Sequence, residues 1–181
     1  MLNFCSRIGD GEMRRAVRAA CLIVTLCAAP AVAEEQKVTL LEKYNNWSAY
    51  TATGSPKVCF AVAQPSESTP KNVRRGPIYF YVSHYPEDKV TGEISVKMGY
   101  PFAAGGKATV TIDGKKFELF TKDEGAFVEK TEDEARMIDA MKAGSSMKVQ
   151  GRSARGTDTS DNYSLSGITD ALERITKECS G

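Results

Sequence analysis

The sequence predicts a mainly β protein: an antiparallel β-sandwich or barrel of about eight or nine strands, with two short helices near the C-terminus. Three observations support this class. Short segments of alternating polarity, rich in β-branched and aromatic residues, follow one another from Trp47 onward. Asp113-Gly114 separates two of these segments and has the composition of a tight hairpin turn. Apolar residues recur at helical spacing in two segments after residue 130.

Residues 1–33 have the pattern of a secretory signal peptide. An apolar stretch at 19–29 follows a basic segment, and Ala31-Val32-Ala33 supplies the small residues that a signal peptidase accepts. The stretch is about eleven residues long, short of the roughly 20 that span a bilayer as a helix. We therefore expect cleavage after Ala33 and no transmembrane anchor afterwards. A retained anchor is the alternative, and Met13 is an alternative start because a complete signal peptide follows it.

The remaining chain divides into an N-terminal arm at 34–46, which carries little β pattern, and a single β-rich domain at 47–181. The predicted strands of this domain are 47–53, 57–64, 77–84, 93–98, 107–112, 115–121, 126–129, 147–152 and 162–166. The strands 107–112 and 115–121 form the clearest hairpin, because Asp113-Gly114 suits a two-residue type I′ turn. The polar segment 64–76 contains two prolines and is predicted to be an exposed loop.

Two helices complete the predicted fold. Thr131 and Glu134 have the spacing of a capping box at the start of the first helix, and Gly144 marks its end. The second helix covers about 168–178. Its apolar residues recur at spacings of four, three and four, and this stripe ends at Cys179.

Cysteine usage predicts one disulfide. Cleavage after Ala33 removes three of the five cysteines and leaves Cys59 and Cys179. Two cysteines in an oxidising compartment most simply form a bond, which would tie the second helix to an early strand. Two free thiols are the alternative reading.

Composition and motifs give no catalytic, cofactor or metal site. The formal net charge of +1 disfavours a strongly basic nucleic-acid binder. His84 is the chain's one histidine, so a Cys/His metal cluster cannot be built and any catalytic triad must use it. It lies near the end of an aromatic strand, where a hydrogen-bonded structural role is the more common one. The glycines form no phosphate-binding motif, and the adjacent pair Arg74-Arg75 reads as a solvated charge pair on a loop.

The segment 151–167 is unusually dense in polar turn residues. Its charged side chains are expected on or near an exposed turn, where they pair with one another or bind a partner; they are Arg152, Arg155, Asp158 and Asp161. A solvated turn is the plainer interpretation. In the following strand, Tyr163 and Leu165 alternate with serines and are predicted to face the core.

Several short motifs along the chain resemble one family in their order and spacing. They are Trp47, Cys59, Gly99-Tyr100-Pro101-Phe102, Ala140-Met141-Lys142-Ala143-Gly144, Tyr163-Ser164-Leu165-Ser166-Gly167 and Cys179. Together they resemble the invasion-associated locus B family of exported bacterial proteins, over nearly all of 47–179. The resemblance implies an envelope or secreted protein, linked in the name-giving members to host-cell entry. It implies no catalytic residues and no cofactor.

These observations lead to one functional hypothesis and two alternatives. The leading hypothesis is a non-enzymatic binding or accessory protein that is periplasmic, outer-membrane associated or secreted, with an unidentified protein or envelope partner. One alternative is an envelope hydrolase using Asp158 or Asp161. The other is a structural envelope component that self-associates. The sequence leaves the oligomeric state open.

Overall fold

The structure is a computed structural model that describes residues 36–180, so the predicted signal peptide and its cleavage site lie outside the described residues. Eleven strands and two helices make up this part of the chain. In order they are β1 (Lys37–Tyr44), β2 (Trp47–Thr53), β3 (Val58–Ala63), β4 (Glu67–Thr69), β5 (Tyr79–Tyr85), β6 (Val90–Lys97), β7 (Lys107–Ile112), β8 (Lys115–Lys122), β9 (Gly125–Phe127), α1 (Thr131–Ala143), β10 (Ser146–Arg152), β11 (Asp158–Ser164) and α2 (Ile168–Cys179).

All eleven strands belong to one antiparallel sheet with the order β1-β2-β3-β5-β6-β9-β8-β7-β10-β11-β4. The sheet bends until its two halves enclose a core in a sandwich-like arrangement. The Trp47 indole at the start of β2 donates a hydrogen bond to the Ser164 carbonyl at the end of β11, at 3.0 Å. Phe80 lies between Trp47 and Tyr163 and contacts both rings edge to face. The predicted fold class is therefore confirmed, with eleven strands in place of eight or nine.

The two additional strands, β1 and β4, form the edges of the sheet. β1 occupies most of the segment 34–46 that was expected to be an arm, and it pairs along its length with β2. Its side chains are mostly exposed, so the alternation of buried and exposed positions that reveals a strand in a sequence is missing. β4 lies within the predicted loop 64–76 and pairs with β11 over three residues. Backbone hydrogen bonds to a neighbouring strand, and not burial, define both elements.

The β7–β8 hairpin agrees with its prediction. Asp113 and Gly114 both have positive φ angles, 43° and 88°, as a type I′ turn requires. Ile112 and Lys115 pair directly on either side of the turn. Val110 and Ile112 are buried, which gives the hairpin its apolar face.

The predicted capping box of α1 is wrong. Lys130 occupies the N-cap position, and no side chain caps the helix. Instead, the Glu134 carboxylate accepts a hydrogen bond of 3.1 Å from the backbone amide of Ile94 in β6. The carboxylate is thereby used to attach α1 to the sheet, and burial raises its pKa. The helix ends before Gly144, as expected.

Helix α2 packs on the inner face of β1, β2, β3 and β5 through a buried apolar stripe. At its end, Cys179 forms a disulfide with Cys59 of β3, with a Cα–Cα distance of 6.1 Å. The helix begins after Gly167, whose φ angle of 92° is left-handed. A Cβ atom at this position would overlap the Tyr44 carbonyl of β1, so the junction requires glycine.

Candidate functional site

His84 is held by hydrogen bonds on both ring nitrogens. The Gly92 amide donates to Nδ1 at 3.0 Å, and Nε2 lies 3.1 Å from the Thr176 hydroxyl of α2. That hydroxyl donates to the Leu172 carbonyl at 2.8 Å, so the network assigns the single ring proton to Nε2. Burial lowers the pKa of His84. With both nitrogens engaged, His84 connects α2 to the sheet.

A cavity of about 260 Å³ lies beside His84, between the two helices and the β5–β6 hairpin. Ile138 and Leu172 contribute apolar walls, and Asp139 and Lys142 stand among its lining residues. Among residues 36–180, no group of three or more His, Cys, Asp or Glu side chains is arranged to hold a metal ion. The cavity therefore borders an imidazole whose two nitrogens both have hydrogen-bond partners.

Asp161 lies inside the protein and not on the exposed turn where the sequence analysis placed it. Its side chain is 0% exposed, and the guanidinium of Arg75, whose side chain is 7% exposed, reaches it from the loop before β5. Two bonds form, from Nη1 to Oδ1 at 2.8 Å and from Nη2 to Oδ2 at 2.7 Å. Strand β11 alternates so that Thr159, Asp161 and Tyr163 are all buried, which places the carboxylate in phase with the core.

The Arg75 guanidinium has further partners that hold it in place. Its Nε and Nη2 atoms donate to the Met98 carbonyl at 3.1 and 2.8 Å. Its carbon atom lies 4.9 Å from the centroid of the Tyr100 ring, within the range of a cation–π contact. Burial raises the pKa of Tyr100, whose hydroxyl lies 2.6 Å from the Thr159 hydroxyl. This cluster contradicts the prediction that Arg75 is a solvated loop charge.

Tyr163 and Leu165 face the core, as predicted, at 1% and 3% exposure. The Tyr163 hydroxyl is buried and has no hydrogen-bond partner among the residues that the structure describes. Burial is the largest cause that raises its pKa, and the negative charge of Asp161 adds to the effect. The side chain therefore acts as an apolar core residue that carries a costly polar atom.

The other three predicted binding residues lie at the surface. Arg152 and Asp158 face each other across β10 and β11 and form an exposed ion pair of 3.5 Å. Arg155 is exposed at the tip of the turn, where one Nη donates to the Arg74 carbonyl at 3.1 Å. The remaining N–H groups of its guanidinium have no partner within residues 36–180. The structure thus brings Arg155 beside Arg74, which the sequence analysis predicted to be a solvated loop charge and did not count among the binding residues.

Buried Ser153 gives the turn at 153–157 a defined shape. The Ser153 amide donates to the Thr157 carbonyl at 2.9 Å, and its hydroxyl accepts from the Thr157 amide at 3.1 Å. Gly156 adopts a φ angle of 83°, and the Ala154 amide donates to the Pro101 carbonyl at 2.8 Å. The turn is therefore fixed to the neighbouring loop through its backbone.

A cavity of about 330 Å³ opens where these two loops meet. It is lined by Gly99, Tyr100, Pro101, Ser153, Ala154 and Arg155. Tyr100 contacts the buried Arg75 on one side and the cavity on the other. The Arg75–Asp161 pair therefore supports the floor of this surface, while Arg155 provides a cation at its rim.

Arg74 and Arg75 were the residues that sequence reasoning missed. A signal for Arg75 was present, since the alternation of β11 places Asp161 on the same face as Tyr163 and a buried carboxylate needs a partner. The sequence does not show which cation is that partner, because Arg75 and Asp161 are 86 residues apart along the chain. Because Asp161 is enclosed and fully paired, it is not available to a hydrolase mechanism.

Comparisons with known proteins give one family match by sequence and one match by fold. The protein-family model described as Invasion associated locus B (IalB) protein matches residues 47–176. The crystal structure of invasion associated protein B from Bartonella henselae superposes with a TM-score of 0.57 at 17% identity, covering 79% of this chain and 99% of that chain. No curated protein sequence matches this chain. Within residues 36–180, no helix has the length and apolar character to cross a membrane. Because the family model matches most of the length of this chain, the chain belongs to the invasion associated locus B (IalB) family.

Proposed function

We propose that this chain is an exported, non-enzymatic binding or accessory protein of the bacterial envelope, periplasmic, outer-membrane associated or secreted. Membership of the IalB family and the signal-peptide pattern at 1–33 support export. The Bartonella henselae relative is named for invasion, and a role in contact with host cells is part of this proposal. The neutral, doubly bonded His84 and the enclosed Asp161 support a role without catalysis.

The partner-binding surface in this proposal consists of Arg152, Arg155 and Asp158, together with Arg74. The observation that carries it is the exposed Arg155 guanidinium at the rim of the 330 Å³ cavity. The backbone of its turn is fixed by hydrogen bonds, so a partner need not order the loop on binding. Arg152 and Asp158 neutralise each other, whereas Arg74 and Arg155 leave positive charge. The surface therefore suits a protein or envelope component that carries acidic groups.

Capture of envelope components by the purified protein, followed by mass spectrometry, tests this proposal. Arg155→Ala should reduce the recovered partner and leave the melting temperature unchanged. Arg136→Ala is the matched control, because Arg136 is an exposed arginine on α1 that pairs with Asp133 three residues away. Capture should also weaken as salt is raised, since exposed charges are screened. Equal capture by wild type and Arg155→Ala would contradict the assigned surface.

Export is tested separately by sequencing the N-terminus of protein recovered from the periplasm. The expected first residue is Glu34. An intact N-terminus would overturn the proposed compartment and leave the binding surface to be judged on its own experiment.

A further inference from the structure

Four aromatic side chains form a band on the outer face of the sheet. Tyr50 of β2 stacks against Phe60 of β3 with ring centroids 5.3 Å apart. Phe60 contacts Tyr81 of β5 at 6.0 Å, and Tyr81 contacts Tyr79 at 5.7 Å. These contacts link three adjacent strands, so the four rings make one continuous surface, which we call the aromatic band.

The outer face of these three strands is apolar, whereas the solvent-facing side of an antiparallel sheet is usually polar. The neighbours Ala49, Ala61 and Phe80 point to the opposite face and are fully buried. The band side chains are only half-buried, and helix α2 packs against the other face of the same strands. When the outer face of an antiparallel sheet is solvated, the residues that point to it are normally polar. Strand β3, with the sequence VCFAVA, is instead apolar on both faces, which marks its outer face as a candidate contact surface.

A groove of about 290 Å³ continues the band at the end formed by the β1–β2 turn. Tyr50, Tyr79 and Val62 line its apolar side. Lys43 is the one charged residue among the residues that line the groove. The polar side is formed mainly by the amide and hydroxyl side chains of Asn45, Asn46, Gln64, Ser48 and Ser66.

Several of these polar side chains have no hydrogen-bond partner among residues 36–180. In the described part of the chain, the side chains of Asn45, Asn46 and Gln64 make no hydrogen bond, and the same holds for the hydroxyl groups of Tyr50, Tyr79 and Tyr81. Each amide offers both a donor and an acceptor. The groove therefore fits a ligand that carries many groups able to donate and accept, has apolar patches and has little charge.

We infer that the aromatic band and its groove bind a neutral glycan, with pyranose rings lying along Tyr50, Phe60, Tyr81 and Tyr79. Sugar C–H groups provide the apolar contact for the rings, and sugar hydroxyls are both donors and acceptors for Asn45, Asn46 and Gln64. A proline-rich peptide also contacts aromatic grooves, but it presents mainly carbonyl acceptors and would leave the amide oxygens without partners. The near absence of charge in the groove separates this site from the arginine-bearing surface around Arg155.

Titration calorimetry of the purified protein with maltohexaose, cellohexaose and chitohexaose tests this inference. At least one hexasaccharide should bind saturably, with an affinity that does not change as salt is raised. Phe60→Ala should weaken binding at least tenfold. Asn46→Ala should weaken it as well, and it is a second test because Asn46 is exposed and lines the groove. Phe120→Ala is the matched control: this exposed ring stacks with Phe127 in the other half of the sheet.

Three results would overturn the inference. The first is no binding of any of the three hexasaccharides. The second is binding that Phe60→Ala and Asn46→Ala leave unchanged. The third is that the protein binds poly-L-proline, or self-associates in light scattering, instead of binding a glycan, and that Phe60→Ala abolishes this other interaction. None of these results depends on Arg155, so the proposed function stands or falls separately.

Discussion

The guanidinium of Arg75 and the carboxylate of Asp161 form a two-point ion pair, 2.8 and 2.7 Å long, inside the protein. The pair links the loop before β5 to strand β11, and the same guanidinium binds the Met98 carbonyl. It thereby connects three segments beneath the surface that carries Arg155. A buried pair of this kind contributes little net stability compared with apolar residues, but it is costly to break on one side.

Asp161→Asn should therefore be strongly destabilising. The substitution leaves the Arg75 charge buried without its counter-ion, and the free energy of unfolding should fall by about 3–5 kcal/mol. Asp158→Asn is the matched control, since its ion pair with Arg152 is exposed. Urea unfolding measures both, and equal stabilities would contradict the structural role. The double variant Arg75→Met/Asp161→Leu should lose less than the sum of the single changes, because no charge is left alone.

Tyr163→Phe should be neutral or stabilising. The hydroxyl that it removes is buried without a partner in the described chain, and an unsatisfied buried group of this kind costs about 1–3 kcal/mol. Tyr163→Ala should instead cost about 3–5 kcal/mol, because it empties the space beside Phe80. Thermal unfolding distinguishes the two variants. A large loss of stability in Tyr163→Phe would mean that the hydroxyl has a partner after all.

Acid should destabilise the fold partly through His84. Burial lowers the folded pKa of this imidazole below its ordinary value of about 6.5. The unfolded chain then binds more protons in the window below that value, so stability is fully present above about pH 6.5 and decreases as the pH falls toward the folded pKa. Protonation would also place a proton on Nδ1, which accepts from the Gly92 amide.

The measurement is the melting temperature of wild type and His84→Gln between about pH 7.5 and 5. The wild type should lose more stability over this interval than the variant, whatever their difference at neutral pH. Parallel profiles would show that His84 does not contribute to the acid response.

Removing the disulfide should weaken the attachment of α2. Cys59 and Cys179 are 120 residues apart, and the chain-entropy argument gives at most about 4–5 kcal/mol for a loop of this size. Cys59→Ala/Cys179→Ala should melt at a lower temperature than the oxidised wild type. Reductant should lower the melting temperature of the wild type and leave that of the double variant unchanged. An identical response of both proteins would exclude a stabilising bond.

The sequence by itself determined the elements that depend on neighbouring residues. The β7–β8 hairpin follows from Asp113-Gly114, whose positive φ angles few other residues adopt easily. The apolar stripe of α2 follows from spacing along the chain, and so does the inward direction of Tyr163. Each of these features is set by backbone preference or by a period of a few residues, which a sequence displays directly.

Only the tertiary structure decided the features that depend on distant residues. Strands β1 and β4 exist because a neighbouring strand offers backbone partners, and their exposed side chains carry no period. Asp161 is buried, and not exposed on a turn, because the bend of the sheet encloses its face and Arg75 supplies the compensating charge. The aromatic band likewise requires three strands to bring their rings side by side. Desolvation and pairing act between groups that are close in space. A local pattern such as the alternation of β11 shows which face Asp161 shares, but it does not show which distant residue pairs with it.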